Sequence, residues 1–365
     1  MRSLIYLSPL PWDSFAQRPH KFVTWFLKKY GGKVLWIEPY PTRLPLLADL
    51  KRTAVKTRAG SAAVPEGLTV VSIKSLPIEP LPGSGMANSF IWRKALMRAI
   101  EFATDGNCTL VVGKPSVFAT QLMKALPQCK SIYDAMDDFP AFYRGFSRRA
   151  MMRREESIVS FADEVWTSST LLYEKWSSKH DRVRLVFNGL DAGVLMPPPL
   201  GSTSVDQAIF GYVGTVGNWF DWEMILALAH AVPKDLIRII GPVYKPAPCQ
   251  IPANIQVFPP CEHAEAMNAM AQFDVGLIPF LRNELTDSVD PIKYYEYRAY
   301  KIPVISSDFG EMHYRENEDG VYLLRDGISI ENLVESARKE MAPKQLDTDF
   351  IHLNTWKTRF DQTGL

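Results

Sequence analysis

The chain is written as one pattern twice over. Short apolar runs alternate with longer stretches that are apolar on one side only, and the alternation breaks once and then restarts. In the first half "SLIYLSP", "KVLWIEP", "CTLVVGKP" and "KSIYDAMD" read as strands, "RPHKFVTWFLKKYG" reads as a helix stopping at glycine, and "ADEVWTSS" and "VRLVFNGLD" lead up to the break. After "MPPPLGSTS" the second half runs strand "AIFGYVG", helix "DWEMILALAHAV", strands "LIRIIGP" and "NIQVFPP", helix "HAEAMNAMAQF", strand "DVGLIPF", a further helix, then strand "IPVISSD". Successive strands separated by helices cannot form hairpins. They must cross over, which gives parallel sheets covered by helices on both faces. The expected fold is α/β: two doubly wound, Rossmann-like domains facing each other across a cleft. The expected divisions are residues 1–195, a linker at 196–207, residues 208–345, and a final helix in 346–365 returning to the first domain. Residues 41–87, rich in proline, glycine and basic side chains, read as an irregular insertion with at most short helices.

The 365 residues are 47% hydrophobic and 22% charged, enough for two sizeable cores and unlike a disordered or fibrous chain. Forty-one basic against forty acidic side chains leave a net charge of +1, so no global field gathers nucleic acid and any anion site must be local. Cys108, Cys129, Cys249 and Cys261 lie far apart without a CxxC pair, the pattern of reduced thiols rather than of a disulfide frame or zinc site. The opening "MRSLIYLSPLPW" lacks a signal-peptide pattern, and no stretch stays apolar for the length of a membrane span. A cytoplasmic protein is expected.

Ligands in doubly wound sheets bind beyond the carboxyl ends of strands, so the loops there are where chemistry is sought. In "DSVDPIKYYEY" Asp290 is a candidate N-cap, Pro291 takes the first helical position, and Lys293 and Glu296 share a face. Free amides, the helix dipole and a lysine together suit a phosphate, with Glu296 left to accept from a sugar hydroxyl. The same residues equally suit a capped helix in which Lys293 and Glu296 pair at the surface. "YVGTVGNWFDW" spaces Gly211, Gly214 and Gly217 around a strand-to-helix turn where backbone can approach a phosphate, although it is neither a P-loop nor a dinucleotide GxGxxG. "YDAMDDFPAFY" clusters Asp134, Asp137 and Asp138 as candidates for a general base, a helix cap, a metal ligand or a water-facing loop. In "PWDSFAQRPHKF", Arg18 and His20 flank a helix-starting proline. Arg18 is a candidate for an acceptor phosphate and His20 for a second base or a donor-sugar contact; a structural pair fits equally.

"GLIPF", "PIKYYEY" and "IPVISSDFGE", with "NGLD" at 188–191, resemble the donor-nucleotide half of GT-B glycosyltransferases of the broad family-4 group. The resemblance covers most of the chain in order. It implies a C-terminal sugar-nucleotide-binding domain, with Lys293 on the diphosphate, Glu296 on the ribose, and Gly214, Thr215 and backbone amides completing the phosphate site. Many retaining family-4 enzymes place a glutamate where this chain has Ser288, so the contact to the donor sugar is altered. "YDAMDD" resembles the corresponding stretch of the glucuronosyltransferase of xanthan synthesis, which implies that Asp137 is the base of an inverting transfer. Together the two resemblances imply a glycosyltransferase using a UDP-type nucleotide sugar, with no cofactor and no metal. Its acceptor would be a saccharide or lipid-linked saccharide of bacterial polysaccharide synthesis. "SFIWRKALMRAI" and "FYRGFSRRAMMRREE" mix basic and apolar residues, as helices do that lie on an anionic membrane or that pack on a sheet with their arginines in water. The competing readings are a retaining family-4 hexosyltransferase, a sugar-nucleotide epimerase, and a non-catalytic two-lobed sugar-binding protein.

Overall fold

The computed structural model describes residues 2–44, 64–81, 83–105, 107–198, 207–341 and 343–365. The chain divides into two compact units, Met1–Val186 and Phe187–Leu365. This division falls earlier than the expected boundary at 195, and 346–365 group with the second unit. There the helix α10 (Thr348–Asn354) packs on α8 (Ile292–Ala299), with Phe350 edge-on to Tyr294 at 6.0 Å. The centre of the expected linker (199–206) and the middle of the expected insertion (45–63) lie outside the described residues.

The first unit is a seven-stranded sheet ordered β3-β2-β1-β4-β5-β6-β7, every pairing parallel. Its strands are β1 (Ser3–Leu7), β2 (Lys33–Ile37), β3 (Leu68–Val71), β4 (Cys108–Val112), β5 (Lys130–Ala135), β6 (Glu164–Thr167) and β7 (Val183–Leu185). Strand β3 corrects the expectation of an insertion with only short helices. "LTVV" is β-branched and follows Gly67, but so short a run is overshadowed by the proline and basic residues around it. The helix α1 (Arg18–Tyr30) follows β1, α2 (Ser84–Phe102) follows β3, α3 (Val117–Ala125) follows β4, α4 (Gly145–Phe161) follows β5 and α5 (Thr170–Ser177) follows β6. Helix α1 stops where Gly31 turns left-handed, its N–H bonding to the Leu27 carbonyl at 2.9 Å.

The second unit repeats the plan with six parallel strands ordered β10-β9-β8-β11-β12-β13. These are β8 (Ile209–Val213), β9 (Leu236–Ile240), β10 (Ile255–Phe258), β11 (Val275–Ile278), β12 (Val304–Ser307) and β13 (Val321–Leu324). Helices α6 (Trp222–Ala231), α7 (His263–Met270), α8, α9 (Ile330–Lys339), α10 and α11 (Trp356–Asp361) complete it. Alternate residues of one strand enter different cores: Leu277 joins Phe210, Ile225 and Ile305 on one side of the sheet, and Ile278 joins Met267, Phe273 and Tyr297 on the other. Burying each such side chain is worth about 1.5–3 kcal/mol, which is why these strands read as continuous apolar runs. In both sheets the chain lays three strands outward and then returns past the first. The carboxyl ends of β1 and β4, and of β8 and β11, therefore flank a topological switch point. None of the helices searched among the described residues is long and apolar enough to cross a membrane.

Candidate functional site

In the first unit the loop after β5 carries the three aspartates, and the fold treats each differently. Asp134, still on the strand, is 1% exposed. It receives Arg18 Nη2 at 2.8 Å and Nε at 3.0 Å, and the Tyr6 hydroxyl at 3.0 Å. Arg18 also donates through Nη1 to the Val186 carbonyl at 2.7 Å. A buried guanidinium so engaged ties α1 to the ends of β5 and β7, which matches the structural alternative for Arg18 rather than an acceptor phosphate ligand. Asp138 is bridged by Lys175 at 2.7 Å; the same ammonium reaches buried Glu155 at 2.9 Å, and Glu155 accepts from the Tyr133 hydroxyl at 2.7 Å.

Asp137 lies between these two anchored carboxylates. Its side chain is part-buried and makes no hydrogen bond or ion pair among the described residues. Desolvation raises its pKa most; Arg18 pulls it down, Asp134 and Asp138 push it up, and it ends at about 7. A carboxyl poised there, with both oxygens uncommitted, has the properties of a general base near neutrality. Among the described residues searched, no cluster of His, Cys, Asp or Glu could hold a metal ion.

His20 is also engaged structurally. Its Nδ1 accepts from the Gln17 backbone N–H at 3.2 Å, which leaves the proton on Nε2 to donate to the Trp12 carbonyl at 3.2 Å. With Gln17 it forms a capping box on α1. Burial holds the imidazole below its usual pKa, so the neutral tautomer that this cap requires is also the favoured one. Both nitrogens are used within the fold.

In the second unit α8 starts at Ile292 with Pro291 as N-cap, which corrects Asp290 as the cap. Asp290 is instead a buried hub. It accepts from Arg315 Nη2 at 2.7 Å, from the Asn188 backbone N–H at 2.7 Å and from the Tyr295 hydroxyl at 3.0 Å, while Asn188 Nδ2 binds its carbonyl at 2.7 Å. This is the physical link between "NGLD" and "VDPIKYYEY". Lys293 and Glu296 pair at 2.5 Å, and His263 Nε2 lies 3.7 Å from the other Glu296 oxygen. Burial raises the Glu296 pKa, but Lys293 and His263 outweigh it and hold the carboxyl below the usual range. The surface-pair alternative is thus present, yet an ammonium has three donors and uses one here. Lys293 keeps donors for an anion at the helix start while Glu296 remains an ionised acceptor beside it.

The flanking loops are closely packed and hydrogen-bonded. Ser288 is 1% exposed, in a turn on which Gly310 packs; at φ +46 a Cβ there would meet the Val289 and Thr286 carbonyls at 2.5 and 2.6 Å. Gly214, at φ +154, donates to the Ile240 carbonyl at 2.9 Å, and the Thr215 carbonyl accepts from the Tyr212 hydroxyl at 3.0 Å. Gly211 serves packing rather than a ligand, since a Cβ would lie 2.1 Å from the Phe273 ring. An open pocket of about 640 Å³ beside α7, lined by Arg238, Phe258, Pro260, Glu265, Asn268 and Gln272, contains none of the expected site residues. Sequence reasoning missed Lys175, His263 and Arg315, and took Asn188 only as part of "NGLD" without its tie to Asp290; the partners lie far along the chain.

These two switch-point sheets define the GT-B fold class. No protein-family model matches the chain. The sucrose-phosphate synthase of Thermosynechococcus elongatus superimposes with a TM-score of 0.69 at 14% identity, covering 100% of this chain and 98% of that one. Anabaena HepE, solved in complex with UDP-glucose, gives 0.67 at 12% identity with 100% and 98% covered. In sequence the chain is 24% identical over 199 residues to TuaH of Bacillus subtilis, named as a teichuronic acid biosynthesis glycosyltransferase; the match spans 48% of this chain and 50% of TuaH.

Proposed function

We propose that this chain is a glycosyltransferase that moves a sugar from a UDP-type nucleotide sugar to a hydroxyl of a saccharide or lipid-linked saccharide in bacterial polysaccharide assembly, with inversion and without a metal. Asp137 takes the proton of the acceptor hydroxyl as its oxygen attacks the anomeric carbon. The bond from that carbon to the phosphate oxygen breaks, and the nucleoside diphosphate leaves with the electron pair. The start of α8, Lys293 and the Gly214–Thr215 turn receive the diphosphate, and Glu296 receives the ribose. The observation that carries the reading is the isolation of Asp137: its neighbours each hold a cation, while its own carboxyl is free and pushed to about 7. The GT-B neighbours and the similarity to TuaH support the reaction class. The resemblance of "YDAMDD" to the stretch that carries the catalytic aspartate of the xanthan glucuronosyltransferase, and Ser288 where many retaining family-4 enzymes have glutamate, support inversion. Free thiols, including exposed Cys249, support a reducing, cytoplasmic setting. The test is the anomeric configuration of the product from a UDP-sugar, with Asp137→Asn alongside. Retention of the donor's configuration overturns the inverting mechanism.

A further inference from the structure

Helix α2 has two faces of opposite purpose. Asn88, Trp92 and Ala99 turn inward and are buried. Met86, Phe90 and Met97, spaced to fall within a narrow stripe on the other side, are 76%, 82% and 56% exposed. Exposed Arg93, Lys94 and Arg98 border that stripe, and none of them is in an ion pair among the described residues. The helix has a single acidic residue, Glu101. Crossovers from β3 to β4, β4 to β5 and β5 to β6 run the same way across the sheet, so α2, α3 and α4 lie on one face of it, each packed on the next. The same composition reappears at α4, where Phe142, Phe146 and Met152 are exposed among exposed Arg144, Arg149 and Arg153. Phe142 ends the short 3-10 turn that begins immediately after Asp138.

A face that joins protruding aromatic and thioether side chains to cations without acidic partners complements a surface with an apolar interior and an anionic rim. We propose that the outward face of α2, continued by Phe142 and Phe146, docks this chain on an anionic lipid bilayer. Phe90, Met86 and Met97 enter the acyl boundary and Arg93, Lys94 and Arg98 meet the headgroups. The proposal rests on the glycosyltransferase reading only for its purpose, which is to hold the Asp137 loop at the level where a lipid-linked acceptor presents its sugar. A protein partner would be expected to answer these cations with acids and to find few of them at the centre of its interface.

The test is flotation of the full chain with vesicles of phosphatidylcholine alone or mixed with phosphatidylglycerol. The expected result is flotation with the mixed vesicles only, weakened by salt. Joint Arg93→Glu, Lys94→Glu and Arg98→Glu should lower vesicle affinity by about a hundredfold, since each cation near such a surface contributes roughly a factor of five. Joint Met86→Ser, Phe90→Ser and Met97→Ser should abolish flotation while leaving transfer to a soluble saccharide acceptor unchanged. No flotation of the wild type, or flotation indifferent to both variants, overturns the proposal. So does sedimentation equilibrium showing that the same substitutions dissolve a dimer in a chain that does not float. Flotation without sugar transfer would fail the enzymatic reading alone.

Discussion

Replacing Asp137 by asparagine should make the protein much slower and, at the same time, more stable. The amide keeps the size and polarity of the carboxyl but has no basic lone pair, so single-turnover transfer should fall by roughly a hundredfold or more. The gain in stability follows from the site. An aspartate titrates near 4 in an unfolded chain, whereas folding moves Asp137 from 3.8 to about 7 through desolvation, with Asp134 and Asp138 adding to the rise. Between those values the native state holds a proton that the unfolded state has released, so stability falls as pH rises through the window. A rise of about three units at 1.36 kcal/mol each bounds the penalty at about 4 kcal/mol above pH 8, less whatever water at its partly exposed edge recovers. Asparagine carries no such penalty. Urea melts should show Asp137→Asn close to wild type at pH 4 and more stable at pH 8. Wild-type kcat/KM should climb about tenfold from pH 6 to pH 8 as the base ionises. Asp138→Asn is the control, losing a partly exposed ion pair with Lys175 and little turnover. A variant at position 137 that transfers sugar near the wild-type rate, or whose stability relative to wild type does not change with pH, refutes the reasoning.

Lys293→Ala should weaken UDP binding by about 1.5–3 kcal/mol, the range for a charge-assisted hydrogen bond, and should also lower the melt in the absence of nucleotide because buried Glu296 loses its cation; calorimetric titration of the folded variant measures the binding, and unaltered affinity returns this lysine to pairing with Glu296 alone. Arg18→Met leaves Asp134 buried without its cation and should cost about 3–5 kcal/mol of stability, seen in denaturant melts; a loss below about 1 kcal/mol would mean that the Arg18–Asp134 contact is not a structural tie.

The strands were legible because parallel sheets bury both faces, and Leu277 and Ile278, facing opposite cores, leave no polar beat to confuse the reading. The loops were legible as places but not as roles. Asp134, Asp137 and Asp138 look alike in "YDAMDD"; what separates them is Arg18 and Lys175, distant in sequence and visible only once α1 and α5 have packed. Asp290 reads as a cap because aspartate before proline at a helix start usually is one. Arg315 and Asn188 outcompete the local amides for its carboxylate, and no short-range pattern announces either. His20 is different. Gln17 and His20 stand at capping-box spacing in "QRPH", and that signal was available to a local reading.

The cap on α1 also gives the protein an internal optical probe. The His20 ring centroid lies 5.1 Å from that of Trp12 and 4.9 Å from that of Trp36. Folding holds this imidazole neutral, so as pH falls below the unfolded value near 6.5 the native state resists a proton that the unfolded chain accepts, and stability drains away toward acid. Protonation takes away the acceptor for the Gln17 N–H immediately before Arg18, and places a cation between two indoles. Acid inactivation should therefore come in two stages that a fluorimeter can tell apart. The first, near neutrality, is dark and belongs to Asp137; the second, at lower pH, is reported by tryptophan emission as α1 loses its first turn and Arg18 its grip on Asp134.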